Sequence, residues 1–366
     1  MSWKEMLKSN VTEASELKEL MHLSEEEVKK MDEILDMFPM TITKYYLSLV
    51  NWEDPEDPIR KMCIPRIEEF DMTGAFDTSG EAENTVVPGL QHKYGQTVLM
   101  LSTNRCAMYC RHCFRKRLVG ISEDETAGNF DEMADYIKAH KEINNILVSG
   151  GDAFLNNNDI IRHYLEVLSE IDHLDLVRFG TRTPVVLPSR IYDDPELLNI
   201  LETYNKKKQI YVVTQYNHPN ELTEESKKAI DALMTRGIVV KNQTVLLRGI
   251  NDNSQVMGEL LQKLTKWGIV PYYIFQCRPV SGVGTQFQVP LKEGYRIVDE
   301  AKQMQNGQGK CVRYAMSHVT GKIEILGELD GKMLFKYHQA KYPKDACRIF
   351  TQEVGDDQAW LDEIHS

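Results

Sequence analysis

Short apolar segments alternate with amphipathic helical segments along the central part of the chain. Apolar residues recur at the helical spacing of three and four in DEMADYIKAHK, DIIRHYLEVLSEI, EESKKAIDALMTRG and VMGELLQKLTKWG. Six apolar segments predict strands: TVLMLST, NILVSGG, LVRFGTR, QIYVVTQ, VVKNQTVLL and PYYIFQC. Strands that alternate with helices are typical of βα units with parallel strands. The pattern predicts an α/β fold, a partial (β/α)6 barrel whose ligands bind at the carboxyl ends of the strands.

The pattern differs on either side of this barrel, and it predicts three parts. Residues 1–95 are expected to be an N-terminal helical region, in which Ser24 and Glu27 are placed as a capping box. Residues 96–305 form the barrel. Residues 306–366 are expected to be a C-terminal β extension with a turn at Asp330-Gly331.

Composition and charge narrow the class of function. The 366 residues are 42% hydrophobic, which suffices for a sizeable core. The first residues lack the features of a secretory signal, and no apolar run is long enough to cross a bilayer, so a cytoplasmic protein is expected. A net charge of -12 would repel a phosphate backbone. We therefore expect a small-molecule substrate and neither a nucleic acid nor a membrane as partner.

The cysteines indicate a metal or redox centre. In a reducing compartment, a tight group among the seven cysteines favours metal binding over disulfides. CAMYCRHC places Cys106, Cys110 and Cys113 in a loop directly after the first barrel strand. Three thiolates can hold three corners of a [4Fe-4S] cluster and leave the fourth iron open. An open iron can chelate S-adenosylmethionine (SAM), so that an electron from the cluster can cleave it to a 5'-deoxyadenosyl radical.

A structural zinc site is the alternative to the cluster. Zinc normally takes four protein ligands in a closed site, and His112 could supply the fourth beside the three cysteines. The spacing CxxxCxxC matches the radical SAM superfamily, which favours the cluster.

A longer set of segments resembles the lysine 2,3-aminomutase family of radical SAM enzymes, from about residue 38 to about residue 325. The segments that carry the resemblance are MTITKYYLSL, DPIRK, VPGLQHKY, CAMYCRHCFRKR, VSGGDAF, VRFGTRTPVVLPSRI, YNHPNELT and NQTVLLRGIND. The resemblance implies that Gly150, Gly151 and Asp152 meet the methionyl amine of SAM; glycines allow close approach, and a carboxylate pairs with an ammonium. From the residues alone, a simple βα turn remains an alternative.

The resemblance also implies a pyridoxal phosphate (PLP) site. Lys322 matches the lysine that binds PLP covalently, although a solvated lysine at the edge of a strand is an alternative. Around it the glycines of the family segment are replaced by Ser317, His318, Val319 and Thr320, and only Gly321 remains. The residues that match other positions of the family's PLP site are Lys93, Tyr94 and Gln243.

The chain departs most from the family at the positions that bind the substrate. Arg115 matches the arginine that binds the substrate α-carboxylate, for which a planar guanidinium is suited. Arg278 and Ala315 stand where the family has two aspartates that neutralise the ε-ammonium of lysine. A cation that faces an ammonium repels it, so lysine is not expected as substrate, and a side-chain carboxylate, as in glutamate, is favoured. Alternatively, Arg278 is part of a surface or structural pair.

The expected activity is that of an amino-acid 2,3-aminomutase, an isomerase that moves an amino group from the α to the β carbon. Its expected cofactors are the cluster, SAM and PLP, and its electron donor would be a flavodoxin or a ferredoxin. A PLP-independent radical SAM enzyme that acts on another small molecule is the alternative; a non-enzymatic iron-sulfur or zinc protein is a third hypothesis. The chain lacks the family's cysteine-rich C-terminal segment, but a homo-oligomer remains an expectation.

Overall fold

The computed structural model describes residues 2–126, 128–362 and 364. Within them, no helix combines the length and the apolar character needed to span a membrane. The strands are β1 Thr85–Val87, β2 Leu90–Tyr94, β3 Thr97–Leu101, β4 Asn145–Ser149, β5 Leu176–Gly180, β6 Gln209–Thr214, β7 Val239–Leu246, β8 Val270–Gln276, β9 Arg313–His318, β10 Gly321–Leu329, β11 Lys332–Ala340 and β12 Ile349–Gln352.

The helices fall into two groups. The first group precedes the sheet, and the helices of the second group connect its strands. The first group is α1 Trp3–Lys8, α2 Lys18–Met21, α3 Glu25–Met37, α4 Lys44–Leu47, α5 Pro58–Cys63 and α6 Glu81–Asn84. The second group is α7 Phe130–Ala139, α8 Asn158–Ser169, α9 Thr183–Val186, α10 Ser189–Tyr192, α11 Pro195–Asn205, α12 Glu224–Met234, α13 Ser254–Lys266, α14 Gly284–Phe287 and α15 Leu291–Gln303.

The strands of the described chain form one sheet in which spatial order follows sequence order from β1 to β12. Each pair of neighbours from β3 to β9 is parallel, and the pairs at either end of the sheet are antiparallel. Because every parallel step adds the next strand on the same side, the sheet curves into a partial barrel.

Alternation along each strand separates two faces of this curved sheet. In β4, Ile146 and Val148 are fully buried on the helix-covered face, whereas Leu147 and Ser149 line the concave face. The same period of two places Arg178 in β5 on the concave face, and Val177 and Phe179 behind it. The concave face therefore carries the polar residues that become available to ligands.

Much of the predicted architecture is confirmed. The six predicted strands correspond to β3–β8, the predicted helices to α7, α8, α12 and α13, and the fold is α/β. The capping box is present at the start of α3, since the Ser24 hydroxyl accepts from the Glu27 amide. The predicted turn joins β10 to β11, and both its residues have positive φ, 49° at Asp330 and 77° at Gly331. These values suit a tight hairpin turn.

Two features differ from the prediction. The barrel gains a seventh parallel strand, β9, because α15 supplies one more amphipathic connection after β8. Residues 85–94 are not helical as expected for 1–95, but form β1 and β2. Their hydrophobic alternation is weak because β2 carries polar residues such as Gln91 and Lys93, which line the concave face.

The two antiparallel ends of the sheet approach each other across the opening of the barrel. The Lys93 amine on β2 donates to the His318 carbonyl at the end of β9 at 2.6 Å, and to the Ser79 carbonyl at 3.1 Å. Nearby, Lys341 forms an ion pair with Glu83. Side-chain contacts therefore close the gap between the two ends and bring β2 next to the end of β9.

The N-terminal region is attached to the barrel through a buried carboxylate. Glu69 has no exposed surface and accepts from Arg111 Nε at 2.8 Å, from a second Arg111 nitrogen, and from Lys116. Arg111 also donates to the carbonyls of Phe38 and Pro39. Since Arg111 and Lys116 belong to the loop after β3, Glu69 anchors that loop.

Replacing this buried acid is expected to destabilise the fold. Glu69→Gln leaves two cations without their counter-charge, and removal of one partner from a buried ion pair typically costs about 3–5 kcal/mol. Urea unfolding monitored by circular dichroism measures the loss. Glu68→Gln is the matched control, because Glu68 pairs with Arg66 at the partly exposed surface, where less than about 1 kcal/mol is expected. Equal losses in the two variants would contradict this role of Glu69.

Candidate active site

A cavity of about 540 Å³ occupies the concave side of the barrel. Residues from β2 to β11 line it, and so do the loops at the carboxyl ends of the parallel strands. The basic residues among the described lining are Lys93, Arg115, Arg178, Arg182, Lys241, Arg278 and Lys322, and the acidic ones are Glu81 and Asp152. The cavity is therefore strongly cationic, although the whole chain carries a net charge of -12.

The three predicted cluster ligands lie together at this cavity. Cys106, Cys110 and Cys113 are free, partly exposed thiols on the loop after β3, and all three line the cavity wall. The Cys113 amide donates to the Cys110 carbonyl at 3.0 Å, which keeps the loop compact. The donor set therefore fits a [4Fe-4S] cluster held by three cysteines.

The zinc alternative has no support in the geometry. Among the residues that the structure describes, no three His, Cys, Asp or Glu side chains are grouped as a single metal ion requires. His112 Nε2 lies 3.1 Å from the Gln215 amide nitrogen and 3.2 Å from that of Asn217, so it accepts hydrogen bonds from both. Burial lowers the pKa of His112 well below its usual range. The imidazole is thus already engaged as a neutral acceptor.

Gly150 and Gly151 pack directly against the start of the cysteine loop. A Cβ atom at Gly150 would lie 2.3 Å from the Thr103 carbonyl oxygen, and one at Gly151 would lie 2.3 Å from that of Arg105. The Gly151 amide donates to Thr103 at 2.6 Å, and the Asp152 amide donates to Arg105 at 2.8 Å. The two glycines therefore fix the loop after β4 against the loop that carries the cysteines.

Asp152 is buried and already bonded within the protein. Its Oδ1 accepts from the Phe154 amide at 3.0 Å and from the hydroxyls of Thr181 and Thr183. Its Oδ2 accepts from the Arg182 amide at 2.7 Å. Burial raises the pKa of the carboxyl, and these hydrogen bonds oppose the rise. Oδ2 keeps one lone pair that could accept from an ammonium group.

Arg115 is buried and paired with Glu81. Its Nε and Nη2 donate to Glu81 Oε1 at 3.0 and 2.8 Å, and Nη1 donates to the Ser149 hydroxyl and the Gly150 carbonyl. Burial raises the pKa of Glu81, but Arg115 and Arg117 outweigh it and hold the pKa at about 2. The edge of Arg115 that would take a substrate carboxylate in two hydrogen bonds is therefore occupied by an internal carboxylate.

Arg278 lies close to Arg115 but has no acid of its own. Its guanidinium carbon is 4.1 Å from the centre of the Phe114 ring, and Arg115 contacts the same ring at 4.6 Å. Within the described residues Arg278 has no ion pair. Burial and the neighbouring Arg115 lower its pKa to about 10, while Glu81 opposes the shift. Ala315, at the second position of the substituted pair, is fully buried in β9 and does not line the cavity.

The candidate PLP residues line the same cavity, although they come from strands at both ends and in the middle of the sheet. Lys322 on β10 points inward, with Nζ 4.2 Å from the ring centre of Tyr273 and 5.4 Å from that of Phe275. Burial and the cations Arg178, Arg278 and Lys93 lower the pKa of Lys322 to about 7. A lysine amine that is half neutral at pH 7 can act as a nucleophile. The solvated lysine of the alternative hypothesis is not what the structure shows.

Lys93, Tyr94 and Gln243 line the cavity with Lys322. Burial and the cations Arg278 and Lys341 lower the pKa of Lys93 to about 7, and burial raises the pKa of Tyr94. The residue set around Lys322 offers an amine, a hydroxyl and an amide, which fits a phosphate ester with an aldehyde such as PLP.

The segment that replaces the family glycines forms a closed turn between β9 and β10. The Thr320 amide donates to His318 Nδ1 at 3.2 Å, and the Thr320 hydroxyl lies 2.8 Å from the Tyr337 hydroxyl. Gly321 has φ 158°, close to extended backbone, and a Cβ there would lie 2.3 Å from the Gln339 carbonyl oxygen. The Thr320 amide is therefore not free to bind a phosphate.

Several cavity residues were missed by reasoning from the sequence. Glu81 lies in no recognisable motif. Arg178 and Lys241 occupy polar positions of alternating strand patterns, which are usually exposed to solvent. Lys241 Nζ lies 4.7 Å from the ring centres of both Tyr211 and Tyr272. A charged residue at an inward-facing position of a barrel strand is a signal that could have identified Arg178 in β5 and Lys241 in β7.

Comparison with known proteins identifies the family. Residues 100–261 match the model of the radical SAM superfamily. The L-lysine 2,3-aminomutase of Clostridium subterminale is 40% identical over 313 residues, which cover 85% of this chain and 73% of that protein. The chain belongs to the lysine 2,3-aminomutase family. It is therefore a radical SAM enzyme of the amino-acid 2,3-aminomutase type, and membership implies a [4Fe-4S] cluster and SAM.

Two other relatives extend the comparison. A protein of Aquifex aeolicus whose name also refers to L-lysine 2,3-aminomutase is 39% identical over 350 residues, covering 95% of this chain and 93% of that protein. The glutamate 2,3-aminomutase of Clostridioides difficile is 37% identical over 308 residues, covering 84% of this chain and 72% of that protein. Relatives at similar identity thus carry names that refer to two different amino acids.

Each of the three loop cysteines is expected to be indispensable for the cluster. Replacing Cys106, Cys110 or Cys113 by Ala leaves two thiolates, too few for a cubane with one open iron. Iron and sulfide analysis after anaerobic reconstitution should show loss of the cluster, and reductive SAM cleavage should be abolished. Cys347→Ala is the control, because this exposed thiol lies outside the cavity. Wild-type rates of SAM cleavage in Cys110→Ala would contradict the assignment.

Proposed function

We propose that the enzyme binds PLP at Lys322 and moves the amino group of an acidic amino acid from the α to the β carbon. The observation that carries the proposal is the position of Lys322 in the same cavity as the three cysteines. This lysine has a lowered pKa and forms no ion pair among the residues that the structure describes. When bound, the cluster and SAM supply a carbon-centred radical that removes hydrogen from the β carbon, and PLP supplies an imine through which nitrogen can migrate.

The chain's own residues would orient these groups. Asp152 Oδ2 and the backbone of the two preceding glycines would bind the SAM amine. Lys93, Tyr94 and Gln243 would bind the phosphate, and Lys322 would hold the aldehyde carbon. The cationic wall keeps these anionic groups bound away from water, where charge interactions are stronger than at a surface.

We further propose that two arginines bind the substrate at its two ends. Arg115 would hold the α-carboxylate through Nη1, which would exchange its long contacts to Ser149 and the Gly150 carbonyl for the substrate, because the other edge of Arg115 holds Glu81. Arg278 would bind a side-chain carboxylate, because it lies in the cavity without an acid partner among the described residues. A lysine side chain would place an ammonium against Arg278 and be repelled.

The reaction also needs an electron for the cluster, and we propose a flavodoxin or a ferredoxin as its donor. Homo-oligomer formation and a cytoplasmic location remain predictions. So do the three parts 1–95, 96–305 and 306–366, whose boundaries are a working division of the chain.

A PLP-independent radical SAM reaction is the second candidate. It is favoured by the closed turn at Val319 and Thr320 between β9 and β10, where Thr320 bonds internally instead of presenting its amide to a phosphate. In that case Lys322 would bind an anionic substrate directly. The two candidates differ in whether PLP attaches to the protein.

Covalent capture of PLP tests the proposal. Anaerobically prepared protein with added PLP should absorb visible light, and borohydride followed by peptide mapping should locate the adduct on Lys322. Lys322→Ala should abolish both signals, whereas Lys336→Ala, a change further along the same sheet, should abolish neither. An adduct on another lysine, or on none, would transfer the assignment to the PLP-independent reaction.

The rate of PLP attachment should depend on pH with a midpoint near the pKa of Lys322, about 7. Attachment requires the neutral amine, so the rate should rise as pH increases through this value and level off above it. An ordinary lysine would still be gaining reactivity up to about pH 10. Stopped-flow absorbance measures this profile from about pH 5.5 to about pH 9, a range that covers both sides of the lowered pKa and ends below the usual pKa of lysine. A rise that continues without a plateau would contradict the lowered pKa.

Substrate choice should follow the charge at Arg278. Glutamate and aspartate are expected to be turned over more efficiently than a neutral amino acid, and lysine poorly. Arg278→Gln should lower kcat/KM for the acidic substrate about 30-fold or more, from roughly 2 kcal/mol for truncating one partner of a buried charge pair. SAM cleavage without substrate should change much less. Arg248→Gln is the control, because Arg248 pairs with Glu293 outside the cavity. Efficient rearrangement of lysine by the unmodified protein would overturn the proposal.

A further inference from the structure

Arg182, in the loop after β5, links the cysteine loop to the aspartate after β4. Its Nη1 donates to Cys110 Sγ at 2.8 Å. Its backbone amide donates to Asp152 Oδ2 at 2.7 Å. One residue therefore contacts both a candidate cluster ligand and the acid predicted to meet SAM.

A buried network fixes the direction of this guanidinium. Nη2 donates to the Glu221 carboxylate and, at 3.2 Å, to the Tyr46 hydroxyl, while Nε donates to the Gln215 carbonyl at 3.2 Å. Glu221 and Tyr46 have no exposed surface. Tyr46 in turn donates to Glu221 at 2.7 Å. With Nε and Nη2 held from behind, the remaining end of Arg182 faces the sulfur of Cys110.

The network also joins three separate segments of the chain. Tyr46 comes from MTITKYYLSL, Arg182 from VRFGTRTPVV and Glu221 from YNHPNELT. The Glu221 carboxylate accepts from the backbone amides of Asn217 and His218 at 2.6 and 3.1 Å, which orders its own loop. These segments are far apart in sequence and converge on one guanidinium.

We propose that Arg182 is a positioning residue that raises the reduction potential of the cluster. The proposal rests on Cys110 being a cluster ligand. Reduction adds one electron and no proton, so the cluster and its thiolates become more negative. A hydrogen bond to a ligating sulfur and a positive charge beside it stabilise that reduced state. Since Glu221 binds the far side of the guanidinium, the sulfur faces the positive end of the ion pair.

Redox titration of the reconstituted full chain, without SAM, PLP or substrate, tests the proposal. Electron paramagnetic resonance of the reduced cluster gives the midpoint potential. Arg182→Gln should make reduction at least about tenfold less favourable, which for one electron is a shift of about 59 mV to more negative potential. Arg182→Lys keeps the charge but not the planar geometry, so it should shift the potential in the same direction by less.

A matched control and a second readout separate this role from a purely structural one. Arg105→Gln also removes a positive charge from the cysteine loop, but Arg105 is exposed to solvent, so screening should leave a much smaller shift. Resonance Raman spectra of Arg182→Gln should show the iron to cysteine stretching bands at higher frequency than in the wild type, because the sulfur loses a hydrogen bond.

The outcomes separate this proposal from the proposed function. An unchanged potential in Arg182→Gln with full iron content would overturn it and leave Arg182 as a structural anchor. If that variant does not retain iron, Arg182→Lys decides: a negative shift supports the proposal, and an unchanged potential overturns it. Because PLP and substrate are left out, failure of the PLP or substrate assignment does not affect the measurement. Absence of a cluster in the unmodified protein would instead refute the cysteine assignment on which both proposals depend.

Discussion

The active-site cavity depends on one constraint: it must hold several positive charges away from bulk water. Arg178, Arg278 and Lys93 lie close enough to Lys322 to lower its pKa, and Arg278 also lowers the pKa of Lys93. Glu81 and Asp152 are the acids among the described lining residues. Glu81 is bound to arginines, and Asp152 is bonded to its own loops. Charges of one sign in a low dielectric repel strongly. The anionic cofactor and substrate that we propose would relieve this repulsion on binding.

The same constraint explains why the two lysines can lose their protons whereas the arginines stay charged. An arginine stays charged under all ordinary conditions, whereas a lysine can lose its proton when burial and neighbouring cations oppose the charge. Lys93 and Lys322 both reach a pKa of about 7 in this way. The cavity thus combines fixed positive charge at Arg115 and Arg278 with amines that can be neutral, and the PLP site and acidic substrate that we propose would use one each.

Rigid backbone contacts hold the cluster loop and the segment after β4 in one arrangement. Gly150 and Gly151 leave no room for a side chain against Thr103 and Arg105. Arg115 reinforces the contact through the Gly150 carbonyl, and Arg182 joins the same two loops from the other side. Family membership establishes the type of reaction, and the charges that this chain places around that shared arrangement decide which substrates fit.

The sequence by itself determined the parallel barrel and the cysteine loop. Hydrophobic periodicity depends on which face of an element is buried, so β3–β8 and their helices could be predicted, and the spacing of Cys106, Cys110 and Cys113 is local. Only the tertiary structure brought Lys93 to the end of β9, paired Arg115 with Glu81 and aimed Arg182 at Cys110, because these contacts join residues separated by 34 to 225 positions. A local sequence pattern carries no information about contacts between residues so far apart in the chain. β1 and β2 were missed because β1 has only three residues and because polar residues of β2, such as Gln91 and Lys93, face the cavity and interrupt the hydrophobic alternation by which strands are recognised.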